Sequence, residues 1–178
     1  MGRLSSGNGV TAAKHPARGV TKDDDVTSRN SPSDAISLRA ITEDNLDKVL
    51  RLQVAEVQRH LVADNATSIA QGCYSSHAWY RAIYAGETPA GFVMLSVEPD
   101  KPEYYLWRFM IDQRFQLKGI GRAAMVQIIE HVSSYPTARE LLVSYVPEEG
   151  SPQPFYAGLG FVDTGDSHDG EMIMRLEL

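Results

Sequence analysis

Cysteine is nearly missing from this chain of 178 residues, in which Cys73 stands alone. One thiol excludes an intrachain disulfide and a cysteine-built metal cluster, and Cys73 is expected to be a small buried apolar side chain. No stretch approaches the roughly 18 to 20 apolar residues that span a bilayer. No His, Cys or Asp cluster has metal-ligand spacing, so neither a metal nor a membrane partner is expected. Basic excess is lacking too. With 17 Lys and Arg against 23 Asp and Glu the net charge is −6, which argues against a nucleic-acid binder with a basic face. An acidic balance suits a cationic small substrate.

What is present fits one domain. Hydrophobic residues make up 43%, enough for a sizeable core at this length. Met1 to Ala35 is rich in Ser, Gly, Thr, Asp and Lys without apolar periodicity and reads as a flexible tail. The domain therefore covers residues 36–178. The tail lacks the apolar core of a secretory signal, and Asp23-Asp24-Asp25 is unlike an acidic-poor transit peptide. A cytoplasmic location is the default expectation.

Ile36-Ser37-Leu38-Arg39 alternates as a half-buried strand would. Thr42 then caps a helix with Glu43 and Asp44 in its first turn. Leu46, Val49, Leu50 and Val54 share a face of that helix, and the pattern fades toward Val57 and Leu61. A second short helix is expected over Ala66 to Tyr74. Strands over Trp79–Tyr84 and Ala90–Val97, joined by a turn containing Gly86, form a hairpin. A third strand, Tyr104–Ile111, completes an antiparallel meander. Ala124, Met125, Ile128, Ile129 and Val132 form the apolar stripe of a long helix, with Gln127, Glu130 and His131 outward. Glu140–Val146 reads as a buried strand, parallel to Tyr104–Ile111 through a right-handed crossover. Ser151 caps a short helix with Pro152 at its first position, running to about Leu159 and ended by Gly160. An edge strand begins at Phe161-Val162, and a last strand spans Met172–Leu176. The class is α+β.

The chain is organised around the strand, loop and helix from Tyr104 to Ser134. Between strand and helix lies Gln116-Leu117-Lys118-Gly119-Ile120-Gly121-Arg122. The first amides of a helix lack intrahelical acceptors and carry the positive end of its dipole, so a phosphate or pyrophosphate can dock there. Gly119 and Gly121 permit close backbone approach, and Lys118 and Arg122 add charge. The spacing is not that of a nucleoside triphosphate loop, and Ala124 stands where a dinucleotide fingerprint has its third glycine.

Q-x-x-G-x-G after a strand resembles motif A of the GNAT superfamily of N-acetyltransferases. Phe155-Tyr156-Ala157-Gly158-Leu159-Gly160-Phe161 resembles the Y-x-x-L-G-F signature of motif B. Trp107 to Asp112, Gln116 to Met125 and Ser144 to Glu148, together with Ser68-Ile69-Ala70, look most similar to the bacterial spermine and spermidine (diamine) N-acetyltransferase group. The resemblance covers residues 36–178. It implies a GNAT fold: a mostly antiparallel sheet, a parallel strand pair splayed at a bulge in the middle, and helices on both faces. It also implies acetyl-coenzyme A as cosubstrate. Backbone groups of Phe109, Met110 and Ile111 would bind pantetheine, and Gln116, Leu117, Lys118, Gly119, Ile120, Gly121 and Arg122 the pyrophosphate. Glu149 stands where the group usually carries an asparagine that contacts the cofactor.

Acetyl transfer to an amine requires a neutral nitrogen, although an aliphatic amine titrates near pH 10. It also requires a proton for the leaving thiolate. Tyr156 is the candidate acid, with a hydroxyl near the thiol range in acidity. The base position implied by related polyamine enzymes falls on Trp107, so direct attack with proton removal by water, or by Glu98 or Glu103 through water, is expected. Polyamine recognition needs spaced carboxylates and aromatic faces. Candidates are Glu56, Asp64, Glu98 and Glu148, with Trp107, Tyr80 and Tyr145 as walls. His60 and His77 read as surface or packing histidines. Alternatives are a GNAT enzyme acting on a peptide, amino acid or aminoglycoside amine, or a catalytically silent acyl-coenzyme A sensor. Many relatives of the fold dimerise, which leaves a homodimer open.

Overall fold

The computed structural model describes residues 36–178; the expected tail lies outside them. The chain forms strand β1 (Ile36–Arg39), helix α1 (Glu43–Leu50), a 3-10 turn (Glu56–Gln58) and helix α2 (Asn65–Cys73). Strands β2 (Ala78–Ala85), β3 (Thr88–Ser96) and β4 (Glu103–Ile111) follow, then helix α3 (Ile120–Ser133) and strand β5 (Glu140–Tyr145). Helix α4 (Gln153–Ala157) and strands β6 (Val162–His168) and β7 (Glu171–Glu177) end the chain. The seven strands form one sheet ordered β1-β2-β3-β4-β5-β7-β6. β4 and β5 are parallel. Every other neighbouring pair is antiparallel.

The expected meander, parallel pair and edge strand are thus present, and local chemistry explains most boundaries. At the start of α1 the Thr42 N–H donates to Asn45 Oδ1 at 2.8 Å, satisfying a group that the helix cannot. Asp64 caps α2 by accepting from the Thr67 N–H at 2.7 Å. The β2–β3 hairpin turns at Gly86, whose φ of +60° suits glycine.

Helices cover both sheet faces. One core joins α3 and α4 to the sheet through Ile120, Met125, Ile128, Leu141, Tyr156 and Met174. The other joins α1 and α2 through Val49, Ala82, Phe92, Met94 and Met110. Three expectations are corrected. Helix α1 stops at Leu50, and Leu52 and Val54 are buried in the extended segment beyond it. Helix α4 ends at Ala157, with Pro152 rather than Ser151 at its cap. Cys73 is exposed, because the inward face of α2 is Asn65, Ser68 and Gly72, a spacing that turns residue 73 away.

Two α3 side chains expected outside turn inward. Gln127 Nε2 donates to the Ile36 carbonyl at 2.7 Å, which ties the helix to β1. The His131 ring stacks on Trp79 at 4.2 Å, and its Nε2 is buried without a hydrogen-bond partner. Burial first, and then the charge of Arg81, holds the His131 imidazole below its ordinary value. A depressed histidine makes the unfolded chain bind more protons below about pH 6.5, so stability falls as pH drops through that range. Melting curves between pH 7.5 and 5.5 should show His131→Phe, which keeps the stacked ring, losing less melting temperature on acidification than wild type. An equal loss in both proteins would show that His131 does not titrate with folding.

Candidate active site

The sheet opens in its middle. β4 and β5 are paired from Glu103 opposite Glu140 to Leu106 opposite Val143, and no further. On its other edge, β4 sets Leu106 opposite Leu95 and Arg108 opposite Met94, so Trp107 is the extra residue of a bulge. A bulge bends its strand and sharpens the local twist, and here the bend begins where β4 leaves β5. From Trp107 to Ile111 the β5-facing edge of β4 has no strand partner.

A cleft of about 620 Å³ occupies this gap. Its walls include Trp107, Phe109, Met110 and Ile111 from β4, Val143 to Tyr145 from β5, Phe155 and Tyr156 from α4, and Gln116, Leu117, Gly119, Gly121 and Arg122 from the glycine loop. The loop is shaped for an anion. Leu117 and Gly119 have φ of +59° and +79° with Lys118 outside that region between them, an alternation that turns successive amides to one side. Gly119 caps α3, and the first intrahelical bond runs from the Ala123 N–H to its carbonyl at 3.0 Å. The amides of Ile120, Gly121 and Arg122 therefore precede the helical ladder and suit a phosphate group.

Other loop side chains hold the frame. Gln116 Nε2 donates to the Ile111 carbonyl at 2.9 Å and to Gln58 Oε1 at 2.8 Å. Lys118 Nζ donates to the Arg114 carbonyl at 2.6 Å, and Arg122 to the Gly158 carbonyl at 2.9 Å. Ile120 is fully buried. Before the loop, Asp112 is 2% exposed. It accepts from the Gln53 N–H at 3.0 Å and from Arg114 Nε at 2.7 Å. Burial alone would raise the Asp112 carboxyl, but these bonds and the Arg114 charge together hold it below its ordinary value.

Tyr156 is 5% exposed, with its ring 5.4 Å from Phe155 and 5.6 Å from Phe161. Burial first, and Tyr105 second, pushes its phenol well above the ordinary tyrosine value. This corrects the expectation of an acidity near the thiol range. Tyr156 is a protonated donor at any physiological pH.

The acidic candidates separate. Glu56 pairs with Arg59 at 2.9 Å, Asp64 caps α2, and Glu98 pairs with Lys101 on the β3–β4 turn at 2.7 Å. The cleft wall includes none of the three, nor Tyr80 or Glu149, and Glu149 is exposed. Glu148 lies in a shallow hollow that shares Tyr145, Gly150 and Ser151 with the cleft. It bonds His60, itself on the cleft wall. Tyr145 donates to Asp163 Oδ1 at 2.9 Å.

Sequence reasoning missed two charged wall residues, Arg108 and Glu171. Arg108 donates to the Trp107 carbonyl at 2.7 Å and to Gln71 Oε1 at 3.2 Å, while its Nε is buried without a partner. Burial pushes its guanidinium down, against the opposing pull of Tyr105 and Glu171. Neither had a signal within its own stretch of sequence. Among the described residues no group of three or more His, Cys, Asp or Glu is placed to hold a metal ion, and no helix is long and apolar enough to cross a membrane.

Comparison with known proteins agrees with this geometry. The spermine/spermidine N(1)-acetyltransferase of Bacillus subtilis (strain 168) is 26% identical over 156 residues, covering 81% of this chain and 99% of its own. The crystal structure of the PaiA N-acetyltransferase from Thermoplasma acidophilum in complex with coenzyme A superposes with a TM-score of 0.61 at 14% identity, covering 81% of this chain and 99% of that one. The ribosomal-protein-S18-alanine N-acetyltransferase of Escherichia coli superposes with a TM-score of 0.62 at 17% identity, covering 80% and 93%. The profile described as the acetyltransferase (GNAT) family matches residues 46–161, which take in the splayed strands, the glycine loop and Tyr156, and the chain belongs to that family.

Proposed function

We propose that this N-acetyltransferase moves an acetyl group from acetyl-coenzyme A to a primary amine of a polyamine, by direct attack within a ternary complex. The observation that carries the reading is the cleft opened by the Trp107 bulge, which joins the anion-shaped loop to the buried phenol of Tyr156. The described residues fit the coenzyme. The amides from Ile120 to Arg122 suit its pyrophosphate, and the unpaired β4 edge at Phe109, Met110 and Ile111 suits the amides of its pantetheine arm. When bound, the coenzyme supplies the thioester that donates the acetyl group. Tyr156 then holds a proton beside the leaving sulfur. Burial of the phenol keeps it in the protonated form that a donor to the departing sulfur requires.

Support for a polyamine comes from the B. subtilis relative. Carboxylates at both Glu171 and Glu148, with the aromatic faces of Trp107 and Tyr145 between the strands, offer an extended cation the contacts it needs. A peptide or amino-acid amine is the second reading, favoured by Arg108, whose half-buried guanidinium would meet an acceptor carboxylate.

A thiol-release assay with acetyl-coenzyme A across spermidine, spermine, amino acids, a peptide and an aminoglycoside separates these. Turnover concentrated on the two polyamines is the expected result. Turnover on peptide or amino acid alone moves the assignment to the second reading, and none on any amine, with coenzyme still bound, makes the protein a sensor.

A further inference from the structure

Amine acetylation needs a proton acceptor, and the bulge position that would carry one holds Trp107. The cleft wall nevertheless contains a carboxylate, that of Glu171, the first residue of β7. Ser144 of β5 lies opposite Ile173, so Glu171 stands diagonally across from it on the same sheet face. Ser144 Oγ donates to Glu171 Oε2 and lies 2.6 Å from the Tyr105 hydroxyl. Ser144 is the first β5 residue past the last pairing with β4. The chain of hydroxyls thus begins at the apex of the splay and ends on a carboxylate. Among the described residues Glu171 is the single Asp or Glu on this wall.

We infer that Ser144 and Glu171 form the proton relay of the acetyl transfer, with Glu171 as the final acceptor of the amine proton. The inference rests on the acetyltransferase reading above and names the group that reading assigned to water. The bound ammonium first gives one proton to Ser144 Oγ while the Ser144 hydroxyl proton passes to Glu171 Oε2, which leaves the neutral amine. As the new N–C bond forms and the C–S bond breaks, the second nitrogen proton leaves to solvent and the departing sulfur takes the Tyr156 phenol proton. The products are an amide and a thiol, and exchange with solvent resets Glu171 and Tyr156. Arg108 on the same wall assists, since a nearby positive charge disfavours the ammonium form of the acceptor.

The relay predicts a pH signature that a packing role would not produce. With it, the ammonium form is a competent acceptor, and kcat/KM levels off well below the amine's own pKa. Without it, only free amine reacts, and the rate climbs about tenfold per pH unit toward pH 10. The experiment takes the full chain and whichever amine of the panel wild type turns over best, and compares wild type, Glu171→Gln and Ser144→Ala. Expected in both variants are a kcat at pH 7.5 lower by about tenfold or more, loss of the level region, and unchanged acetyl-coenzyme A binding by calorimetry. An unchanged profile overturns the relay, as does a raised KM with unaltered kcat and profile, which would make Glu171 an ammonium-binding group only. If Glu171→Gln fails to fold, Ser144→Ala decides alone. Wild type inactive on every amine would fail the function itself, an outcome distinct from a variant that keeps the wild-type profile.

Discussion

Tyr156→Phe should lower kcat by about 100-fold or more, the scale of a lost general acid, and leave acetyl-coenzyme A affinity within about threefold of wild type, under 1 kcal/mol. The ring stays because its place is set by Phe155 and Phe161, and the phenylalanine ring fills the same space. Only the hydroxyl is lost. Because that hydroxyl is held well above its ordinary value by burial, wild type should show no alkaline loss of rate from Tyr156 below pH 10. Stopped-flow thiol release, with calorimetry for the coenzyme, reads both quantities. A variant with wild-type kcat would remove the proton-donor role and leave Tyr156 as a core aromatic.

The order of strands was readable because each boundary has a local cause. Thr42, Asp64 and Gly86 act on residues within a few positions of themselves. The end of α1 was not readable. Leu50, Val54, Val57 and Leu61 fit a continuing helix as well as an extended chain fits Leu52 and Val54. The choice is made by Asp112, which takes the Gln53 N–H from a strand end 59 residues further on.

The candidate site divides in the same way. The glycine loop and Tyr156 are each carried by a contiguous motif, so the sequence points to both. Glu171 looks like one more acid beside a turn, and Arg108 like a polar residue in a strand. They reach the cleft wall only because β7 inserts between β5 and β6 and because the bulge re-aims β4. Residue types in a strand show alternation, but not which partner strand lies alongside.

Gly121→Ala should weaken acetyl-coenzyme A binding by about 100-fold, close to 3 kcal/mol, while the free protein remains as stable as wild type. A Cβ built at Gly121 meets Ile111 Cγ1 at 3.4 Å and the Phe155 ring at 3.6 Å, ordinary contact distances. Gly121 lies within α3, where alanine is the better helix former by about 1 kcal/mol. The fold therefore gives no reason for glycine there, and the added methyl would project between Ile111 and Phe155, both on the cleft wall. Gly119→Ala should behave in the opposite way. Nothing lies within 4 Å of its Cβ, but its φ is +79°, and a side chain in that region costs about 1 to 2 kcal/mol. Melting curves and calorimetry on the two variants thus separate backbone conformation from ligand approach. Gly121→Ala binding the coenzyme as tightly as wild type would mean that the α3 amino terminus is not where the pyrophosphate sits, because a ligand seated on those amides has no room to ignore a methyl group placed among them.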